Sequence, residues 1–166
     1  MGGGHKAARS IRESTMEKSN STLASNRRAR RSYHILDTIE AGLVLVGTEV
    51  KSIRAGRVSL AEAWCRIDNG EAFLVDAHIS HYSHGNLNNH DPVRPRKLLL
   101  HRREIARLQK AVGQKGNTLI PLRLYLRNGR IKAEIGIARG KQLFDKRADM
   151  AERDTKRQLE RRLKQY

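Results

Sequence analysis

Four histidines in one short segment are the first candidates for chemistry. His78, His81 and His84 are spaced three residues apart, and His90 follows. This spacing brings imidazoles together on a helix, but the segment leaves an alternating strand pattern and enters a polar loop at Gly85. On a strand, His78 and His81 point to opposite faces, and no cysteine or carboxylate joins them at ligand spacing. We therefore predict no metal site, and histidines that face solvent or a nucleic acid.

The carboxylates are the second candidates. Asp37, Glu40 and Glu49 are close in sequence but have no partner that would form a nucleophile–base pair or a two-metal site. Glu49 can pair with Lys51 or Arg54 in a short helix. A phosphate-binding loop of the G-x-x-x-x-G-K-[ST] type is absent from the sequence. We predict no catalytic residue, no cofactor and no enzymatic activity.

The charge of the chain indicates a polyanionic partner. Lys and Arg number 34 against 17 Asp and Glu among 166 residues, a net charge of +17. Such a field attracts nucleic acid, an acidic membrane surface or an acidic protein. With few aromatic residues for base stacking, recognition of the backbone and shape of a structured RNA fits best. The candidate contacts are the run "NRRARR", with Arg28 and Arg31, and Lys51, Arg54, Arg94, Arg96, Lys97, Arg127 and Lys132.

Strands must position these cations, because apolar and polar residues alternate with period two from Tyr33 onward. Residues 33–47 read as two strands with a bend at Glu40, Ala41 and Gly42. Residues 47–56 favour a short helix between glycines, and residues 61–79 a hairpin that turns at Asn69-Gly70. Residues 80–96 are a polar loop.

The sequence pattern of residues 97–138 predicts a helix followed by a hairpin. Residues 97–116 favour a helix with Leu100, Ile105, Leu108 and Val112 roughly on one face. Residues 117–138 favour a hairpin through Asn128-Gly129 in which Ile120, Leu122, Leu124 and Leu126 share a face. Six strands without a βαβ rhythm predict a mainly β protein with helices, built on a closed or partly closed antiparallel barrel.

The two ends of the chain differ from this body. Residues 1–26 have scattered apolar side chains and are expected to be disordered. Residues 145–166 are basic and helix-prone, but only Leu159 and Leu163 form an apolar pair. We expect this tail to be mostly disordered alone and to become helical on an anionic surface. Residues 27–144 form the predicted barrel domain between them.

The remaining sequence signals concern the cellular setting. Cys65, the single cysteine, lies in an alternating run and reads as a small buried residue. The sequence has no apolar run long enough for a transmembrane helix and no secretory signal pattern. We expect a cytoplasmic protein without membrane contact.

Several ordered motifs resemble one known family. "IEAGLVL" at 39–45, "GTEVKSIRAG" at 47–56, "RPRKLLLHRREI" at 94–105 and "GKQLFDKR" at 140–147 are similar to motifs of the SsrA-binding protein, or small protein B, family. The resemblance runs from about residue 27 to the C-terminus. It implies an OB-like antiparallel barrel with flanking helices that is not an enzyme.

The resemblance also implies partners. Members of that family bind the tRNA-like domain of transfer-messenger RNA and deliver it to stalled ribosomes in trans-translation. Their C-terminal tail enters the decoding region of the small ribosomal subunit and becomes helical there. Elongation factor Tu and alanyl-tRNA synthetase act on the same RNA.

The matching motifs assign expected roles to individual residues. RNA binding is expected at Glu40 and at Leu99, Leu100 and His101. Action on the ribosome is expected at Gly140, Lys141, Phe144, Asp145, Lys146 and Arg147, and the basic tail residues Arg153, Lys156 and Arg157 extend that set. Two other classes stay open from the residues alone: a ribosomal-type structural protein held by its charge, and an RNA-processing enzyme.

Overall fold

The computed structural model describes residues 21–164. Nine strands and four α-helices follow one another in these residues, with a 3-10 turn at Asn86–Asn88. The strands are β1 (Thr22–Ser25), β2 (Tyr33–Leu43), β3 (Val58–Ser59), β4 (Trp64–Asp68), β5 (Glu71–Val75), β6 (His78–Ile79), β7 (Arg96–Leu99), β8 (Asn117–Arg127) and β9 (Arg130–Gly140). The helices are α1 (Arg27–Ser32), α2 (Gly47–Arg54), α3 (Arg102–Val112) and α4 (Leu143–Leu163).

The strand pairings close into an antiparallel ring. The order is β8-β4-β5-β7-β2-β9, and β9 pairs again with β8. The contact between β4 and β8 is short, at Cys65 and Leu119, whereas the β8–β9 ladder runs from Asn117 to Arg127. Strand β1 pairs with β8 at Arg123–Tyr125, further along β8 than the β4 contact. The predicted closed or partly closed antiparallel architecture is confirmed.

Two apolar clusters hold the ring together. The main cluster includes Ile53, Leu74, Leu98, Leu108 and Ile135, all at least 98% buried. A second, smaller cluster packs under α1 and contains Ala29, Ile120, Leu122 and Ala138. Strands β8 and β9 therefore bury side chains on both faces, which rigidifies the hairpin that carries Arg127 and Lys132.

A bulge in β8 interrupts the alternation of inward and outward side chains that the sequence predicted for this strand. The register with β9 shifts between Pro121 and Arg123. An extra residue reverses the phase of a strand. Ile120 and Leu122 consequently pack under α1, whereas Leu124 packs in the main cluster. The four residues predicted to share one face lie on two.

The predicted turns and the first predicted helix are confirmed. Asn69 and Gly70 have φ of 49° and 74°, and Asn128 and Gly129 have 52° and 74°, as tight hairpins require. Helix α2 occupies most of the predicted 47–56 segment.

Two predicted boundaries are wrong. The segment predicted as two strands with a bend at Gly42 is one strand, β2, through Leu43. Gly42 is needed there for space, since its position for a Cβ lies 3.2 Å from the Leu99 Cβ. The helix predicted from residue 97 begins at Arg102, because residues 97–99 belong to β7, whose Leu98 packs in the core.

The N-terminal expectation is corrected for residues 22–26. Thr22–Ser25 form β1. The buried Asn26 donates from Nδ2 to the carbonyls of Leu60 and Pro121, both at 3.0 Å, and accepts from the Ala29 amide. These bonds hold the chain on the ring. Residues 1–20 lie outside the described residues.

The tail also differs from the expectation of disorder in isolation, because the structure forms α4 from Leu143. The helix has no fully buried side chain, but its first turns are held. The Asp145 carboxylate accepts from the Gln142 amide at 3.2 Å and lies 3.4 Å from His34, and Lys141 pairs with Asp149. These contacts supply the nucleation that the sparse apolar stripe does not. Helix formation on the ribosome stays a prediction.

No helix among residues 21–164 is long and apolar enough to cross a membrane.

Candidate nucleic-acid interface

Glu40 lies on the outer face of the sheet, where β2, β9 and β8 run side by side. Arg127 Nη1 donates to its two carboxylate oxygens at 2.8 and 3.0 Å, and the Tyr125 hydroxyl donates to Oε2. The Tyr125 hydrogen bond, followed by Arg127, holds the pKa of Glu40 below its ordinary value. Glu40 is therefore an ionised acceptor in a fixed position, with its side chain about one-third exposed.

Tyr125 is the residue of this face that the sequence pattern did not identify. It lies between Leu124 and Leu126, which pack in the main cluster, and so on the opposite face of β8, yet it is only 4% exposed. Burial, followed by the Glu40 bond, raises the pKa of its hydroxyl, which stays a donor. The Arg123 guanidinium lies 4.5 Å from its ring centroid. No short motif marks this pairing, because Tyr125 and Glu40 are 85 residues apart.

A groove that begins at Gly42, two residues after Glu40 on β2, is lined by both apolar and basic side chains. Its volume is about 370 Å³. Leu99, which is 53% exposed, and Lys132 are among the lining residues. Arg54 donates from Nη2 to the Gly129 carbonyl at 3.3 Å and so supports the neighbouring hairpin turn. Three predicted RNA-binding residues, Glu40, Leu99 and Lys132, are thus brought together on one face, with Arg127 beside them.

The prediction that Arg96 contacts RNA is wrong. Its side chain is 0% exposed and donates to Glu49, to the Ala77 carbonyl at 2.6 Å and to the Pro92 carbonyl at 3.1 Å. Its charge cannot reach an RNA phosphate, so its role is structural. No sequence pattern indicated this burial, since an arginine is rarely found fully buried.

Glu49 pairs with different residues from those predicted. The expected partners were Lys51 and Arg54, but the carboxylate binds Arg94 in a bidentate pair at 2.6 and 2.7 Å, and Arg96 at 2.9 Å. Burial alone would raise the pKa of Glu49, but the hydrogen bonds from Arg94, the Val46 amide and Arg96 bring it below its ordinary value. Arg94 is thereby tied to the core, with its side chain about one-third exposed.

The other predicted RNA contacts are dispersed around the ring. Lys97 pairs with Glu71 at 2.9 Å, and Lys51 lies 5.1 Å from the Tyr82 ring centroid. Leu100 packs against the main cluster, and His101 precedes α3 as an exposed residue. Arg28 pairs with Glu62 on the far side of α1.

The predicted ribosome-acting residues begin at the junction of β9 and α4. Gly140 ends β9, and Lys141 donates from its amide to the Ser32 carbonyl at 2.8 Å. Phe144 is 70% exposed. Arg31 lies in the groove between α1 and α4 together with Lys146, Arg153 and Arg157. Arg147 and Lys156 are exposed on α4.

The histidines and the cysteine form no metal site or reactive group in the described part of the chain. The prediction that the histidines face solvent or a nucleic acid is wrong for His90, which is buried, with Nδ1 2.9 Å from the Thr48 hydroxyl and Nε2 2.8 Å from the Ile79 carbonyl. Within residues 21–164, no three His, Cys, Asp or Glu residues are grouped to hold a metal ion. Cys65 is buried, as predicted, and burial raises the pKa of its thiol.

Comparisons with known proteins agree with this geometry. A family model described as SmpB protein matches residues 23–165. An SsrA-binding protein of Thermobifida fusca (strain YX) is 59% identical over 143 residues, which cover 86% of this chain and 89% of the relative. An SsrA-binding protein of Corynebacterium glutamicum (strain R) is 54% identical over 153 residues, covering 90% and 93%.

A solved structure gives the same result in three dimensions. It is described as "tmRNA-SmpB: a journey to the center of the bacterial ribosome", and one of its chains is 49% identical to this one with a TM-score of 0.62. The match covers 72% of this chain and 85% of that chain. Because the family model spans both the ring and the C-terminal helix, the chain belongs to the SmpB family of SsrA-binding proteins.

Proposed function

We propose that this chain is an RNA-binding adaptor of trans-translation. It binds the tRNA-like domain of transfer-messenger RNA and delivers that RNA to stalled ribosomes, where incomplete peptides are tagged. The observation that carries the proposal is the family match over residues 23–165. The relatives are named for binding SsrA, and the solved neighbour is described as tmRNA-SmpB in the bacterial ribosome.

The ring is the part that binds the tRNA-like domain. Its outer face presents an ionised acceptor, Glu40, between the cations Arg127 and Lys132, next to the exposed Leu99. An acceptor carboxylate among cations disfavours unspecific phosphate binding and favours a ligand with a donor, such as a base or a ribose hydroxyl, at that point. The domain consists of residues 27–144 together with β1.

The C-terminal segment, residues 145–166, is the part that acts on the small ribosomal subunit at the decoding region. It carries Lys146, Arg147, Arg153, Lys156 and Arg157, and no side chain of α4 is fully buried. A helix with so little contact to its own ring keeps its charged side chains free for ribosomal RNA.

The adaptor has no catalytic step of its own and works in the cytoplasm. Elongation factor Tu and alanyl-tRNA synthetase are expected to meet it on the same RNA. A pulldown with sequencing of the bound RNA tests the assignment: one dominant transfer-messenger RNA species supports it, whereas ribosomal RNA in proportion to all ribosomes supports a constitutive ribosomal protein.

The division of labour is tested by truncation before Arg147. The shortened chain is expected to keep its affinity for transfer-messenger RNA and to lose peptide tagging on stalled ribosomes. A second variant, R153A/K156A/R157A, keeps the helix, since alanine favours helix formation, and is expected to lose tagging as well. Loss of RNA affinity in both variants would refute the division between ring and tail.

A further inference from the structure

The basic run before β2 presents its arginines to three different surroundings. Arg28 pairs with Glu62, and Arg31 lies in the groove against α4. Arg27 and Arg30 line another groove, formed with β1, β8 and β9. Because Ala29 points into the cluster under the helix, α1 has a fixed rotation, and this rotation sends Arg27 and Arg30 to the same side.

We propose that this second groove binds the phosphodiester backbone of RNA through Arg27 and Arg30. The proposal rests on the proposed function and extends it from the Glu40 face to a second site. The sequence predicted RNA contacts in this basic run at Arg28 and Arg31, whereas the groove is lined by Arg27 and Arg30. The groove has a volume of about 450 Å³, within the range of roughly 300–1,000 Å³ typical of small-ligand sites. It can therefore hold a phosphate with its sugar.

The charge of the groove fits a phosphate. Its lining contains three arginines, including Arg123, and one carboxylate, Glu134, which Arg123 already binds. Within residues 21–164, neither Arg27 nor Arg30 has a carboxylate partner. Thr22 and Ser25 add hydroxyl groups, and the described part of the chain contributes no aromatic side chain to the groove. These groups recognise phosphate and sugar but offer no platform for a base.

The platform that carries the two arginines is rigid. Asn26, directly before α1, is 5% exposed and makes three side-chain hydrogen bonds. Its amide also donates to the Leu122 carbonyl at 2.8 Å. Guanidinium groups on a fixed helix lose less conformational freedom on binding than those on a mobile arm.

The groove is continuous with the Glu40 face. Glu134 is the register partner of both Glu40 on β2 and Arg123 on β8. Arg123 in turn stacks over Tyr125, which donates to Glu40. One RNA can therefore contact the acceptor at Glu40 and the cations at α1 without leaving the outer face of the sheet.

The test compares R27A/R30A with K110A/K115A, which removes the same charge from exposed positions in and beyond α3. Binding of the transcribed tRNA-like domain to the full chain is measured between about 50 and 200 mM salt. Each lost phosphate contact makes the slope of log K against log salt less steep by about 1. The slope of R27A/R30A is therefore expected to be less steep than the wild-type slope by about 2, and that of the control by about 0. The affinity deficit of R27A/R30A should then shrink about 16-fold over the fourfold salt rise.

A conservative variant separates charge from structure. R27K/R30K is expected to keep most of the slope, because lysine binds phosphate as a point charge. Equal slopes for R27A/R30A and K110A/K115A would overturn the proposal. It would also be overturned if the slope of R27K/R30K became as shallow as that of R27A/R30A. The wild-type preference for the tRNA-like domain over unrelated RNA is read separately. Its absence would refute the proposed function, while the slopes would still test the groove on any RNA.

Discussion

Removal of the buried Glu49 charge is expected to destabilise the ring strongly. Glu49→Gln keeps the shape of the side chain but leaves the Arg96 guanidinium buried without an anion. Breaking a buried ion pair in this way costs about 3–5 kcal/mol. Arg96 keeps its bonds to the carbonyls of Ala77, Asp91 and Pro92, so we expect a value near the lower end, about 3 kcal/mol.

Urea unfolding followed by tryptophan fluorescence measures this free energy. Trp64 is the only tryptophan, and its indole N–H donates to Asp76 at 3.0 Å, so its environment changes on unfolding. With a urea dependence of about 2 kcal/mol per molar, the midpoint is expected to fall by about 1.5 M. The control is Glu71→Gln, which breaks the exposed pair with Lys97 and should cost less than about 1 kcal/mol.

The reasoning fails if the two variants have similar midpoints. A second arm uses Arg96→Met alone and together with Glu49→Gln. The double variant removes both buried charges, so the single effects should not add, and the coupling should exceed about 1 kcal/mol. Additive effects would mean that the carboxylate and the guanidinium do not stabilise each other.

Three further predictions concern single side chains. Tyr125→Phe should bring the pKa of Glu40 back toward its ordinary value. Because the folded-state pKa of Glu40 is lowered, its stabilisation is present above the unfolded value of 4.5 and is lost as the pH falls through the folded value. The stability difference between wild type and Tyr125→Phe should therefore be larger at about pH 7 than at about pH 3 in urea unfolding. Gly129→Ala should cost about 1–2 kcal/mol in the same assay, since Gly129 has φ of 74°, whereas Gly47→Ala, at an open helical position, should be neutral or stabilising. The Cys65 thiol should react with a disulfide reagent only as the ring unfolds, and rapid labelling of the native protein would contradict its burial.

Local signals predicted the parts of the fold that depend on a few neighbouring residues. The Asn69-Gly70 and Asn128-Gly129 turns follow from dipeptides that accept positive φ, and both lie where predicted. The strand-rich antiparallel class followed from alternation and the spacing of turns. The helix prediction was wrong at residues 97–99, because a short run of leucines is compatible with a buried strand as well as with a helix.

The candidate site was less predictable because its contacts join distant segments. Arg94 and Arg96 meet Glu49 across 45 and 47 residues, and Tyr125 meets Glu40 across 85. No periodicity reports such pairs. Charge and motif resemblance provided a set of candidate residues, whereas only the fold shows that Arg96 is buried and that Arg127 reaches Glu40.

The position of α1 links the two functional parts of the molecule. On one side it presents Arg27 and Arg30 to the outer sheet face, and on the other Arg31 lines the groove with α4. Lys141, at the start of the tail, donates to the Ser32 carbonyl and from Nζ to the Arg30 carbonyl at 3.3 Å. A short helix fixed by Asn26 therefore sets where the chain leaves the ring toward α4 relative to the proposed RNA-binding face. The proposed adaptor role needs this relation to be constant, because RNA held by the ring would have to arrive at the ribosome in register with the tail.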